Sequence, residues 1–141
     1  MKRRILLAED ERMIRVAIRA ALESLAAGWE ICGEAANGRE MVEMARRHLP
    51  DLILVDIRMP EIDGLAAIEA CTAISAGIRY VVLSGLNDFD HARGALRLGV
   101  LEYLLKPIRP AELSAALERV ARVLDDQARA AGQSLALAWQ D

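Results

Sequence analysis

The chain has 141 residues, of which 54% are hydrophobic, and it carries a formal net charge of −3 and two cysteines. This length suits one domain with a single core, and the slightly acidic balance excludes a basic surface of the kind that holds nucleic acid. No apolar stretch approaches the roughly 20 residues of a membrane-spanning helix, and two cysteines are too few for a disulfide framework. We therefore expect a cytoplasmic protein that makes no contact with a membrane.

Strands and helices alternate along the chain, five of each. Short apolar runs predict strands at 4–8, 30–35, 52–56, 79–83 and 102–105. Apolar residues at helical spacing predict helices at 11–25, 38–48, 63–75, 88–98 and 110–130. Because a helix separates each pair of consecutive strands, the strands should lie parallel, with helices on both faces. The predicted fold class is α/β, a doubly wound five-stranded parallel sheet with five helices.

The end of the domain is placed by the last predicted helix. Its apolar positions form a stripe that should face the core, and they are Leu113, Leu117, Val120 and Leu124. The next positions of the stripe are Gln127 and Ala131, and Gly132 follows, so the apolar stripe fades there. We therefore assign residues 1–128 to the domain and residues 129–141 to a C-terminal tail or a truncated linker.

Polar side chains stand at the ends of four of the predicted strands. Glu9 and Asp10 follow the first strand, Asp56 ends the third, Ser84 follows the fourth and Lys106 follows the fifth. Because the carboxyl ends of parallel strands meet at one edge of a sheet, we expect these five side chains to converge. The pattern predicts a functional site that contains three carboxylates, one hydroxyl and one ammonium.

The chemistry of this predicted site follows from its charges. Three neighbouring carboxylates repel one another, and a hard cation with oxygen ligands relieves the repulsion. Magnesium fits best, because it combines one or two carboxylates with waters and phosphate oxygens. With the metal, Ser84 and Lys106 each contacting one oxygen, the site would hold a phosphoryl group. Asp56 is then the candidate nucleophile, and its product is an acyl phosphate.

Four motifs extend this interpretation to a known family. They are Leu7-Ala8-Glu9-Asp10-Glu11, the stretch from Asp56 to Gly64, Val82-Leu83-Ser84-Gly85 and Tyr103-Leu104-Leu105-Lys106-Pro107. In this order and spacing they resemble the motifs of the response-regulator receiver domain of two-component systems, from about residue 4 to about residue 128. The resemblance implies a flavodoxin-like receiver fold and a phosphorylation-dependent signalling switch.

The resemblance also implies the role of each site residue. Asp56 is the phosphoacceptor, which takes a phosphoryl group from a sensor histidine kinase, and Lys106 contacts the phosphate, with a cis peptide bond before Pro107. The ligands of Mg²⁺ are Glu9, Asp10, Asp56 and the backbone carbonyl of Arg58. The switch residues are Ser84 and Tyr103. Glu9 stands where the family more often has Asp, so its longer side chain is expected to reach the metal through water.

The surface that signals is expected to be the face formed by residues 88–98, 102–105 and 110–130, through which two copies of the chain could also pair. Residues 84–90 and 98–107 resemble receivers joined to AraC-type helix-turn-helix output domains. The expected output is therefore control of transcription. Contact with DNA is expected only through such an output domain, which this chain does not contain.

Two alternatives remain open from the residues. One is a stand-alone phosphoacceptor or interaction module without a DNA-binding output. The other is a phosphatase with an Asp nucleophile, but such an enzyme needs an acid two residues after the nucleophile to protonate the leaving group, and Arg58 occupies that position. We expect no enzyme activity beyond assistance to the chain's own phosphorylation and dephosphorylation.

Overall fold

The computed structural model describes residues 2–25, 28–85 and 99–140. The strands are β1 Arg3–Ala8, β2 Trp29–Ala35, β3 Leu52–Asp56, β4 Arg79–Ser84 and β5 Val100–Leu105. The helices within these ranges are α1 Arg12–Leu25, α2 Gly38–His48, α3 Gly64–Ile74 and α4 Pro110–Gln140. All five predicted strands are confirmed, and the helix predicted at 88–98 lies outside the described residues.

The five strands form one parallel sheet in the order β2-β1-β3-β4-β5. Strand β3 lies at the centre, where Val55 pairs with Ala8 of β1 on one side and with Val82 of β4 on the other. The strand order reverses between β1 and β3, and open α/β sheets bind their ligands beyond the carboxyl ends of the strands at such a point. The topology therefore places Asp56, the last residue of β3, at the expected binding edge.

Two cores cover the two faces of the sheet. Ile53 and Val55 pack with helices α2 and α3, whereas Leu52 and Leu54 pack with helices α1 and α4. Alternate side chains of β3 thus enter opposite cores, which explains why the whole strand is apolar until Asp56. The doubly wound arrangement that the sequence predicted is confirmed.

Helix α4 is longer than the sequence predicted. It continues to Gln140, about ten residues past the predicted end at 130, and the domain boundary placed at 128 falls within it. Residues 125–132 are all exposed, and Gly132 has no atom within 4 Å of the position of a Cβ. A glycine costs an exposed helix only about 1 kcal/mol relative to Ala, too little to end it. Despite its length α4 is not apolar enough to cross a membrane, and neither is any other helix in the described ranges.

Candidate functional site

Asp56 is delivered to the site by the most buried strand of the sheet. Every residue of β3 is buried, and Asp56 itself is 3% exposed. The backbone N–H of Arg58 donates a hydrogen bond to Asp56 Oδ1 at 3.1 Å, so the chain curls around the carboxylate directly after the strand. The carboxylate is therefore held in one orientation at the carboxyl edge of the sheet.

The loop that follows Asp56, residues 57–63, is fixed by two close approaches of glycine backbone. A Cβ on Gly64 would lie 2.5 Å from the carbonyl oxygen of Asp56, and one on Gly38 would lie 2.2 Å from the carbonyl oxygen of Ile62. The N–H of Gly64 also donates to the carbonyl of Ile57 at 2.9 Å. Only glycine fits at these two positions, so the starts of helices α2 and α3 clamp the loop.

The acidic pair follows β1. The backbone of Glu9 is held from both sides, since its N–H donates to the carbonyl of Ala35 at 3.0 Å and its carbonyl accepts from Arg15 Nη1 at 2.8 Å. The Glu9 side chain is completely buried, whereas Asp10 is open to solvent. Glu9 therefore points into the site, and Asp10 lies at its mouth.

Lys106 brings the positive charge from the far side of the site. Its backbone N–H donates to the carbonyl of Ser84 at 2.8 Å, which ties the loop after β5 to the end of β4. Its Nζ lies 2.8 Å from Glu9 Oε1 and 3.1 Å from Asp56 Oδ2. The peptide bond between Lys106 and Pro107 is cis, as the resemblance implied. One ammonium thus bridges two buried carboxylates.

The pKa values of the three buried charges differ because of this contact. Burial raises the pKa of Glu9 to about 8, and its hydrogen bond with Asp56 adds to the rise. Burial also acts to raise the pKa of Asp56, but hydrogen bonds from Glu9 and from the N–H of Arg58 outweigh it and lower that pKa. For Lys106, hydrogen bonds to Glu9 and Asp56 outweigh burial and raise the pKa. Asp56 is therefore the ionised carboxylate, as a nucleophile must be.

The donor set fits a hard divalent cation. Glu9, Asp10 and Asp56 each offer a carboxylate oxygen, and these oxygens lie within 4.8 Å of one another. Glu9 Oε1 is buried and makes no hydrogen bond of ordinary geometry with the described residues, although Lys106 is close by. A hard metal ion that prefers oxygen ligands, such as Mg²⁺, would satisfy such a set. That the carbonyl of Arg58 is a further ligand stays a prediction.

The two predicted switch residues lie on neighbouring strands. Ser84 is the last residue of β4, is 1% exposed, and follows Leu83, which pairs with Asp56. Tyr103 lies on β5 beside Val82, is half-buried, and packs against the core beneath α2 and α3. Ser84 thus lies at the carboxyl edge of the sheet, directly after the residue that pairs with Asp56. Tyr103 lies behind it, on the edge strand.

An apolar groove of about 560 Å³ opens beside the site, between α1 and the loop after β5. Its walls are Met13, Ile14, Ala17, Ile18, Ala21, Lys106, Pro107, Ile108, Pro110 and Leu113. Met13 is 82% exposed, which is unusual for a side chain of its size and hydrophobicity. Because Lys106 lines the groove as well as the site, a molecule in the groove would lie next to Lys106.

Sequence reasoning missed several residues that shape the site. Helical spacing marks α1 as amphipathic, but Met13 lies on its outer side, and a single exposed Met carries no signal in a sequence. Arg15 was missed because a side chain that bonds to a main-chain carbonyl leaves no pattern. The close approach of Gly38 to the Ile62 carbonyl was missed because it depends on a loop that is distant in sequence, and Gly38 follows directly on Asn37, whose side chain caps α2.

Comparisons with known proteins decide the family. The sequence profile of the response regulator receiver domain matches residues 5–118. The chain belongs to this receiver family. It therefore works as a phosphorylation-dependent signalling switch, and the predicted flavodoxin-like receiver fold is confirmed.

Three similar proteins illustrate the relationship. The transcriptional regulatory protein YesN of Bacillus subtilis is 36% identical over 124 residues, which are 88% of this chain but 34% of YesN. The receiver domain of AraT from Geobacillus stearothermophilus superposes with a TM-score of 0.85 at 34% identity, covering 90% of this chain and 98% of that one. The receiver domain of the sensor histidine kinase PA1611 from Pseudomonas aeruginosa PAO1, solved with magnesium in its active-site cleft, has a TM-score of 0.72 at 34% identity and covers 84% and 97%. The chain thus spans about a third of YesN and nearly the whole of each solved receiver.

Proposed function

We propose that Asp56 is the residue that accepts the phosphoryl group, from a phosphohistidine of a sensor histidine kinase. One observation carries this proposal: Asp56 is a buried, ionised carboxylate at the end of the central strand, with an ammonium 3.1 Å from its Oδ2. Among the acids at this edge, Glu9 is completely buried and shares its hydrogen bond with Asp56, and Asp10 lies at the mouth. Asp56 is the one acid that combines ionisation, orientation and a partner for the incoming charge.

In the transfer, an oxygen of the Asp56 carboxylate attacks the phosphorus, the bond between phosphorus and the histidine nitrogen breaks, and an acyl phosphate forms. Lys106 holds one phosphoryl oxygen by its charge, and the hydroxyl of Ser84 donates to another. Mg²⁺ bound by Glu9, Asp10, Asp56 and the Arg58 carbonyl would supply the remaining positive charge. The chain's own residues thus orient the nucleophile and bind the product.

The signal is then a change of surface. A phosphoryl group on Asp56 draws Ser84 and Lys106 toward it, and Tyr103 moves into the space that opens. Residues 99–110, which include β5 and the loop that carries Lys106, are coupled to the site because the Lys106 N–H binds the Ser84 carbonyl at 2.8 Å. The face around 88–98, 102–105 and 110–130 is where an output domain, or a second copy in a homodimer, would read the change.

The groove beside the site is suited to the kinase. A protein donor must bring its phosphohistidine to Asp56 past the carboxyl edge of the sheet, and Met13 offers it exposed apolar surface there. A helix of the donor lying against α1 would cover that surface. We therefore place the kinase contact at α1 and the loop after β5.

The output is proposed to be transcription in the cytoplasm, because relatives such as YesN are transcriptional regulatory proteins of which this chain matches one part. A phosphatase is disfavoured by Arg58, which cannot act as an acid at the position where one is needed.

The proposed phosphorylation of Asp56 is tested by incubating the chain with acetyl phosphate and Mg²⁺. It expects one added phosphoryl group that hydroxylamine removes, as it does from acyl phosphates. A phosphoryl group stable to hydroxylamine would contradict it.

A further inference from the structure

The contacts of the Glu9 side chain indicate a task besides metal binding. Its Oε1 lies 2.8 Å from the Lys106 ammonium, closer than Asp56 Oδ2 at 3.1 Å. Its other oxygen accepts a long hydrogen bond of 3.4 Å from the N–H of Glu11, and the carboxyl group also shares a hydrogen bond with Asp56. The contact of this buried side chain with Lys106, at 2.8 Å, is therefore shorter than its contact with Glu11.

Both ends of that contact are anchored through the backbone. Glu9 is fixed by hydrogen bonds of its N–H and carbonyl to Ala35 and Arg15, at 3.0 and 2.8 Å. Lys106 is fixed by its N–H on the Ser84 carbonyl at 2.8 Å. With both backbones held, the length of the side chain at position 9 decides whether an oxygen reaches the ammonium.

The length required is that of glutamate. An aspartate at position 9 would end about 1.5 Å short, one carbon–carbon bond less. The oxygen would then lie roughly 4.3 Å from Nζ, beyond the separation of about 4 Å that defines an ion pair. A glutamine would keep both the length and the acceptor oxygen.

We propose that Glu9 is a positioning residue, which by the reach of its side chain holds the Lys106 ammonium over Asp56. A phosphoryl group that arrives on Asp56 then meets a cation already in place. The phosphoryl oxygens must also compete with Glu9 for that cation, so the Glu9–Lys106 contact resists the rearrangement of the loop after β5. This inference rests on the proposed role of Lys106 in binding the phosphoryl group.

The experiment exploits the fact that Lys2 and Lys106 are the only lysines of the chain. In protein labelled with ¹⁵N-lysine, NMR measures the exchange of each ammonium with water, and the exposed Lys2 serves as the internal reference. We expect the Lys106 ammonium to exchange at least about tenfold more slowly than that of Lys2, as suits a charge-assisted contact in a buried site. Glu9→Gln should keep most of this protection, and Glu9→Asp should lose it.

Glu11→Asp is the matched control, because it shortens an exposed glutamate two residues away and should leave Lys106 unchanged. Glu9→Asp with wild-type protection, or Glu9→Gln as unprotected as Glu9→Asp, would overturn the proposal. If the Glu9→Asp chain fails to fold, the exchange rates of the wild-type protein still test the proposal. A wild-type Lys106 ammonium that exchanges as fast as that of Lys2 would overturn the proposal. No phosphodonor is present, so a chain with a protected Lys106 that fails to accept phosphate would count against the proposed function only.

Discussion

The ammonium of Lys106 lies 3.1 Å from Oδ2 of Asp56. These residues are 50 positions apart, and they meet because β3 and β5 are parallel and each ends at the same edge of the sheet, on either side of β4. Hydrogen bonds from Glu9 and from the N–H of Arg58 lower the pKa of Asp56, and the positive charge of Lys106 adds to this effect. Hydrogen bonds to Glu9 and Asp56 raise the pKa of Lys106, so both groups stay charged. The ionised Asp56 can therefore accept a phosphoryl group, and the charged Lys106 can bind that group once it is present.

Lys106 and Ser84 should be needed to read the phosphate more than to accept it. Lys106→Ala and Ser84→Ala should each still gain a phosphoryl group, because Mg²⁺ offsets much of the charge during transfer. Both should lose most of the phosphorylation-induced change in hydrogen exchange at residues 99–109. Lys2→Ala, which removes the other lysine, is the control and should behave as the wild type. A full wild-type change in either variant, or no phosphate uptake in both, would refute this division of roles.

The metal ligands should contribute unequally to the affinity for Mg²⁺. Glu9→Ala removes a carboxylate that is expected to act through water and should weaken Mg²⁺ binding on the order of tenfold. Asp10→Ala should weaken it more, because Asp10 is expected to contact the ion directly. Calorimetric titration of each variant with Mg²⁺ measures the two losses. The opposite order would mean that the ligands are wrongly placed.

Gly64 should be irreplaceable for steric reasons. In Gly64→Ala the new Cβ would lie 2.5 Å from the Asp56 carbonyl oxygen and 2.7 Å from Ile57 Cα, and neither backbone atom can move without displacing the phosphoacceptor. We expect the free energy of unfolding to fall by about 1–3 kcal/mol, together with a weaker affinity for Mg²⁺. Urea denaturation followed by circular dichroism measures the first effect.

The same substitution elsewhere provides the control for Gly64. Gly132 lies in helix α4 with nothing within 4 Å of the position of a Cβ. Gly132→Ala should therefore leave the unfolding energy unchanged or raise it by up to about 1 kcal/mol. Equal losses in both variants would mean that the close approach at Gly64 is not what matters.

Met13 should contribute to binding of the kinase and not to the chemical step of phosphorylation. Met13→Glu places a charge in the apolar groove and should slow phosphotransfer from a phosphorylated histidine kinase that acts on the wild type, roughly tenfold or more. Its rate with acetyl phosphate should stay that of the wild type. Val16→Glu is the matched control, since Val16 is exposed on the same helix but does not line the groove. A Met13→Glu chain that slows equally with both donors would contradict the placement.

Much of the fold could be predicted from the sequence because its signals are local. The apolar run 52–55 ending in Asp56 indicates a strand buried on both faces, and the turn residues around it set its ends. The convergence of Asp56 with Lys106 then follows from parallel topology alone. These features need only the order of residues and the direction of the strands.

The features that could not be predicted depend on distances in the folded chain, which a sequence pattern does not specify. Whether Glu9 reaches Lys106 is decided by two side-chain lengths and two anchored backbones. The length of α4 was predicted too short because its apolar stripe fades after Leu124, whereas a helix with exposed polar residues and one glycine can continue at little cost. The exposed side of α1 gave no signal, because the pattern that marks a helix comes from the buried side.

The central claim is that Asp56 carries the phosphoryl group, and the most direct measurement is the mass of the chain after incubation with acetyl phosphate and Mg²⁺, followed by mapping of the modified peptide. The account predicts one phosphoryl group on the wild type, located at Asp56, and none on Asp56→Asn. Labelling of Asp56→Asn to the extent of the wild type would contradict it.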